Sequence, residues 1–329
     1  MIAAAKQRDA AAPARAFAAP DGLLVVDKPA GPTSHDVVER VRRCFRTRQA
    51  GHLGTLDPTA TGLLLVALGA ATRCIPVWQG GAKTYEATLR LGITTRTQDL
   101  SGEVLATAEP RVDEAAVRAA ARAFTGTILQ VPPMVSALKH RGERLHDLAR
   151  RGVEVERAPR RITVHAWEWL AFAPPDATFR VTVSAGTYVR TLVHDLGAAL
   201  GCGAALAALR RTRSEPFGLE RAVTSAALDT LAPEALWAHG GIALAEALAH
   251  LPALTLEPRE AVQIAHGGRP ERLRAGLATE VVAAGPRGVA LRDPAGAIVA
   301  LGQLLAGPDE ARVRVCPQVV FQRPVGTPA

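Results

Sequence analysis

A chain of 329 residues, 48% hydrophobic and 21% charged, has the length for one large core and a smaller one and the composition of a globular protein. No apolar run approaches the roughly 18 residues that cross a bilayer, so a membrane-spanning helix is excluded and no membrane partner is expected. The formal net charge of +8 is carried almost wholly by arginine, with lysine only at Lys6, Lys28, Lys83 and Lys139. It favours a polyanionic partner, because the planar guanidinium fits phosphate and stacks on bases. A general bias toward Arg and Ala would give the same charge, so charge alone does not decide.

The start, residues 1–20, is Ala-rich with scattered charges and lacks the apolar core of a signal peptide, so we expect a disordered tail there. Cys44, Cys74, Cys202 and Cys316 stand apart, without C-x-x-C or paired histidine spacing. That pattern argues against a zinc site or a disulfide framework and fits a reducing cytoplasm. No metal ligand set is evident. Ser34-His35-Asp36 are sequence neighbours, which is not the geometry of a catalytic triad.

In chain order, Leu23 to Asp27 reads as a buried strand ended by Lys28-Pro29. Thr33 or Ser34 then caps a helix, with Asp36 placed for a capping box and Val37, Val38, Val41, Cys44 and Phe45 on one face. Arg40, Arg42, Arg43, Arg46 and Arg48 fill the other face and lead into Gly51-His52-Leu53-Gly54-Thr55-Leu56-Asp57-Pro58-Thr59-Ala60-Thr61-Gly62. Pro58 biases Asp57 away from the α region, so its carboxylate sits on a turn. A solvated surface turn and a functional loop both fit. Leu63 to Leu68 reads as a buried strand, although periodicity does not exclude a helix.

Lys83 to Leu91 alternates as a strand, placing Tyr85, Ala87, Leu89 and Leu91 on one face. Tyr85 points inward as a core residue or a functional one. A helix is expected over 111–124, and the basic stretch 135–161 reads as an exposed excursion and candidate RNA contact. Two further strands, Ile162 to Phe172 and Thr178 to Ser184, lead into Ala185-Gly186-Thr187-Tyr188-Val189-Arg190. There Thr187 is placed to cap a helix stopped by Gly201. Arg190 falls in its first turn, where the helix dipole disfavours a cation unless a carboxylate lies near. Beyond about Leu254, strand candidates at 280–283, 288–292, 297–304 and 311–315 signal a small β-rich domain.

Four of these stretches together resemble the bacterial TruB family of tRNA pseudouridine synthases. They are Gly22-Leu23-Leu24-Val25-Val26-Asp27-Lys28-Pro29, then Gly51-His52-Leu53-Gly54-Thr55-Leu56-Asp57-Pro58, then Lys83-Thr84-Tyr85, then Gly186-Thr187-Tyr188-Val189-Arg190-Thr191. The resemblance runs from about residue 21 to 225. It implies an α+β pseudouridine-synthase fold, with a central mixed or antiparallel sheet flanked by helices and a small C-terminal β-rich, PUA-like domain. It divides the chain into 1–20 (tail), 21–250 (catalytic, with the basic 135–161 insertion) and 251–325 (RNA-binding).

The resemblance further implies an enzyme that isomerises a T-loop uridine of tRNA to pseudouridine without metal or organic cofactor. Asp57 matches the family's essential aspartate and Arg190 the arginine paired with it. Tyr85 matches the tyrosine that stacks on the base, Tyr188 and Leu209 residues lining the uridine pocket, and His52 the residue filling the space of the flipped nucleotide. The expected partner is the tRNA T-stem-loop, met in the cytoplasm by a monomer with no guide RNA. A tRNA-binding or tRNA-folding protein without catalysis is the alternative. Thr59, Arg96, Val135 and His146 depart from the family pattern at loop positions.

Overall fold

A computed structural model describes residues 17–136 and 138–325. The expected tail therefore lies, for residues 1–16, outside the described residues. At its end, Phe17 sets its ring 6.1 Å from that of Phe45.

The first and larger part of the chain builds one sheet. Its principal strands are β1 (Gly22–Lys28), β2 (Ala50–His52), β3 (Thr61–Leu68), β4 (Lys83–Leu91), β5 (Gly126–Gln130), β6 (Arg160–Ala173), β7 (Asp176–Val183), β8 (Ala204–Ser214) and β9 (Val223–Thr224), and the short strands Phe217–Gly218 and Gly241–Ala243 pair with β8 and β1. Helices α1 (Ser34–Cys44), α2 (Glu114–Arg122) and α3 (Val189–Ala199) cover it. The neighbours run β9-β1-β3-β8-β4-β7-β6-β5, with β2 paired to β3. The β9–β1 and β3–β8 pairs are parallel and the other pairs along this path antiparallel, so the sheet is mixed.

Strand β3 explains why its sequence is apolar without alternation. Leu64, Val66 and Leu68 face the core shared with Val37, Val41, Val117, Leu192 and Leu196 of the three helices. Leu63, Leu65 and Ala67 face a second core with Trp78 and Leu248. A strand buried on both sides needs apolar residues at every position, each Leu contributing about 1.5–3 kcal/mol. By contrast, β4 alternates as its sequence does, with Tyr85, Ala87, Leu89 and Leu91 buried.

The C-terminal β-rich domain holds β10 (Ala253–Thr255), β11 (Glu271–Leu273), β12 (Val289–Arg292), β13 (Ile298–Ala306) and β14 (Arg312–Val325), ordered β10-β12-β13-β14-β11. Two short helices flank it, α4 (Pro258–Ala265) and α5 (Thr279–Ala283). The latter corrects the strand expected at 280–283: a short apolar run carries no period long enough to separate strand from helix. This sheet is not a separate bead. Ala290, Ile298, Leu301, Val319 and Phe321 join the second core of the main sheet. Arg73 adds a bond from Nη1 to the Val320 carbonyl at 2.8 Å and places its guanidinium over the Phe321 ring. No helix among the described residues is long and apolar enough to cross a membrane.

Candidate active site

The loop carrying Asp57 joins β2 to β3, and buried side chains from three elements hold it in place. The first is the start of α1. Thr33 accepts a bond from the Asp36 amide at 3.1 Å and Asp36 accepts one from the Thr33 amide at 2.8 Å, closing the capping box. Ser34 is thereby placed so that its Oγ accepts from the Leu56 amide at 2.8 Å and donates to the Leu56 carbonyl at 3.1 Å.

The second anchor is Lys28 at the end of β1, wholly buried. Its Nζ donates to the carbonyls of Pro29 (2.9 Å), Pro58 (3.2 Å) and Ala60 (2.7 Å). Burial lowers its pKa to about 8, although the nearby Asp57 carboxylate works against that shift. The third is Arg211 on β8, whose Nε donates to Leu63 O at 2.8 Å and Nη2 to Gly54 O at 3.0 Å. The β3–β8 pairing that brings Arg211 here requires Gly62: its φ is +96°, and a Cβ would stand 2.2 Å from the Arg211 carbonyl oxygen.

So fixed, Asp57 presents Oδ2 3.2 Å from Nη2 of Arg190. The carboxylate side chain is 40% exposed and the guanidinium side chain 5%, so a buried cation faces an accessible anion. This contact supplies the negative charge that a first-turn arginine of α3 needs. The Arg190 guanidinium carbon also lies 5.7 Å from the centre of the Tyr188 ring.

Thr187 does not cap α3. Tyr188 occupies the cap position without a side-chain bond, and the Thr187 hydroxyl is buried without a partner. The chain is instead held at Tyr188 by Gln130 of β5, whose Oε1 accepts from the Tyr188 amide at 2.8 Å and whose Nε2 donates to its carbonyl at 3.1 Å.

Asp57, Tyr85, Tyr188, Arg190 and Leu209 together wall a cavity of about 300 Å³. Asp57 and Leu209 also border a second hollow of about 260 Å³, beside Asp99. His52 is not among the lining residues. It sits half-buried on β2 with Nδ1 buried and unpartnered, and burial followed by the charge of Arg211 lowers its pKa. Of the departing residues, Arg96 pairs with Glu103 at 2.8 Å, and His146 sets Nδ1 3.0 Å from the Ser136 carbonyl.

Lys28, Ser34 and Arg211 were not among the expected site residues. A hint was present in the lysines: in a chain whose cations are nearly all Arg, Lys28 closes an apolar strand just before Pro29. Among the described residues no group of three or more His, Cys, Asp or Glu is placed to hold a metal ion.

The chain is similar to known proteins along most of its length. The description of the TruB family pseudouridylate synthase N-terminal domain matches residues 42–189, and that of the tRNA pseudouridylate synthase B C-terminal domain matches 190–248. A tRNA pseudouridine synthase B of Syntrophotalea carbinolica is 49% identical over 248 residues, 75% of this chain and 81% of that one. One of Geobacter sulfurreducens is 46% identical over 290 residues, 87% of this chain and 94% of that one. Among solved structures, the crystal structure of a Cbf5-Nop10-Gar1 complex matches with a TM-score of 0.66 and 31% identity, covering 91% of this chain and 84% of that one. The fold and the matches define an enzyme, a pseudouridylate synthase. The chain belongs to the TruB family of these synthases.

Proposed function

We propose that this enzyme isomerises one uridine in the T-loop of tRNA to pseudouridine, with the Asp57 carboxylate acting on the extruded nucleotide. The observation that carries this reading is the Asp57–Arg190 pair, a buried cation aiming an accessible carboxylate into the cavity. In the reaction the N1–C1′ bond breaks, the uracil turns, and a C5–C1′ bond forms. The proton on C5 is lost and N1 regains one. Substrate and product are isomers, so the stoichiometry calls for no oxidant, reductant or group donor.

Each wall residue fits a part of that sequence. Asp57 attacks the sugar or removes a proton from it, opening the glycosidic bond. Tyr85, on the buried face of β4, stacks on the base and assists loss of the C5 proton. Tyr188 and Leu209 enclose the uracil, and Arg190 positions the carboxylate. Extruding a base from a folded loop costs a few kcal/mol, which stacking at roughly 1–3 kcal/mol per base offsets.

The exposed cations Lys139, Arg141, Arg144, Arg150 and Arg151 lie on the excursion beyond β5 and suit the phosphates of the T-stem. The reading divides the chain into a synthase unit over 21–250 and a PUA-like RNA-binding unit over 251–325, working as a monomer in the cytoplasm. Recognition would be direct, without a guide RNA. A purely binding or folding role explains the cations but not the presented carboxylate, which repels RNA.

The test is mass-spectrometric mapping of pseudouridine in an unmodified T-stem-loop treated with purified protein alone. Conversion without a guide is expected. Asp57→Asn should lower conversion by about four orders of magnitude while leaving RNA affinity within a few-fold. Normal turnover by Asp57→Asn would overturn the proposed chemistry.

A further inference from the structure

We propose that Lys83 is a substrate-binding residue whose ammonium takes a phosphodiester of the RNA strand next to the extruded uridine; this rests on the reading of the cavity as a uridine site. Lys83 opens β4 two residues before Tyr85, so strand alternation puts both on the same face. It lies in the cavity wall with Gly54 and Arg211 and is only 9% exposed.

Its Nζ donates to the carbonyls of Gln79 at 3.0 Å and Gly81 at 2.8 Å. An ammonium has three hydrogens, so one is left to give. Carbonyls satisfy hydrogens without cancelling charge. Arg211 is in the same condition, bonded to the carbonyls of Leu63 and Gly54. Neither cation is in an ion pair among the described residues, and the one carboxylate of the cavity wall, Asp57, faces Arg190.

The wall thus carries Lys83, Arg190 and Arg211 against Asp57 alone. Burial and the neighbouring Arg211 charge lower the Lys83 pKa to about 8, which marks a site improved by an anion. Uracil and ribose are neutral. The only anionic part of the entering nucleotide is its phosphodiester, so that is the group that completes the charge.

The experiment uses a T-stem-loop RNA that the wild-type enzyme has been shown to convert. In two further RNAs, an uncharged methylphosphonate replaces the phosphodiester on the 5′ or the 3′ side of the target uridine. One replacement should weaken wild-type binding about tenfold, the order of a hydrogen bond to a charged group. Lys83→Gln, which keeps a donor for the Gly81 carbonyl, should bind the unaltered RNA about tenfold more weakly and be indifferent to that replacement.

Wild-type indifference to both replacements overturns the proposal, a result that needs no variant to fold. So does a Lys83→Gln enzyme, folded by its melting curve, that responds to the replacements as the wild type does. Failure of the wild type to convert the unaltered RNA would instead sink the parent reading, so the two failures are distinct.

Discussion

The Asp57 loop and the excursion over 138–159, a small hairpin (Lys139–His140 with Glu143–Arg144) and a short helix (Leu145–Arg150), both lie off the regular sheet and both carry charge, yet they are held in different ways. Ser34, Lys28 and Arg211 are themselves buried and fasten the loop through bonds to main-chain atoms. Leaving one buried acceptor unmatched costs about 1–3 kcal/mol. The excursion is anchored by Leu145 and Leu148 and by bonds of His146 to the Ser136 carbonyl, and its charged side chains pair mostly at the surface, as Arg151–Glu143 and Arg150–Asp147 at 3.7 Å do. Such pairs contribute roughly 0–1 kcal/mol each and weaken in salt. The loop needs one geometry, because a reacting carboxylate displaced by about 1 Å loses a large factor in rate. The excursion needs charge within reach of an irregular RNA surface, where give is useful.

Substitutions can break this contrast at either end. Arg190→Ala removes the partner of the Asp57 carboxylate and should lower single-turnover conversion by roughly 10²–10³-fold. Wild-type turnover would contradict the pairing. Ser34→Ala touches no substrate yet frees both main-chain groups of Leu56. We expect about 1–3 kcal/mol less stability in denaturant titration, with a fall in turnover measured under conditions where the variant is still folded. Turnover unchanged at full folding would mean the loop does not depend on that anchor. At the small end, Arg141→Ala and Arg144→Ala alter exposed residues that form no ion pair among the described residues. Stability should stay within about 0.5 kcal/mol. RNA affinity should fall, and the slope of its salt dependence should drop by about one for each cation removed. A loss of stability with no change in slope would assign them to the fold instead.

The parts of this enzyme legible in its sequence are those set by local rules. The capping box at Thr33 and Asp36, the alternation of β4 and the unbroken apolar run of β3 each follow from neighbours a few residues apart. The need of Arg190 for an anion was readable from its place in a first helical turn. What local rules miss is decided at long range. Strand β8, Ala204–Ser214, has the Ala, Leu and Arg content of a helix, and it is a strand because the edges of β3 and β4 are there to receive it. Thr187 has the chemistry of a cap, but Gln130, distant in sequence, holds the next residue and sets where the helix begins. Lys28 meets the Pro58 and Ala60 carbonyls across 30 and 32 residues, and no pattern in the sequence shows such convergence.

The burial of Lys28 has a practical side. Lys28 has no exposed surface and spends its hydrogens on three carbonyls, whereas Lys139 stands in the open. An acylating reagent added to the folded enzyme would tag Lys139 within moments and reach Lys28 only when β1 parts from the Asp57 loop. The ratio of the two adducts in a peptide digest would then report how far the loop opens, and at high reagent, where acylation outpaces reclosing, how often.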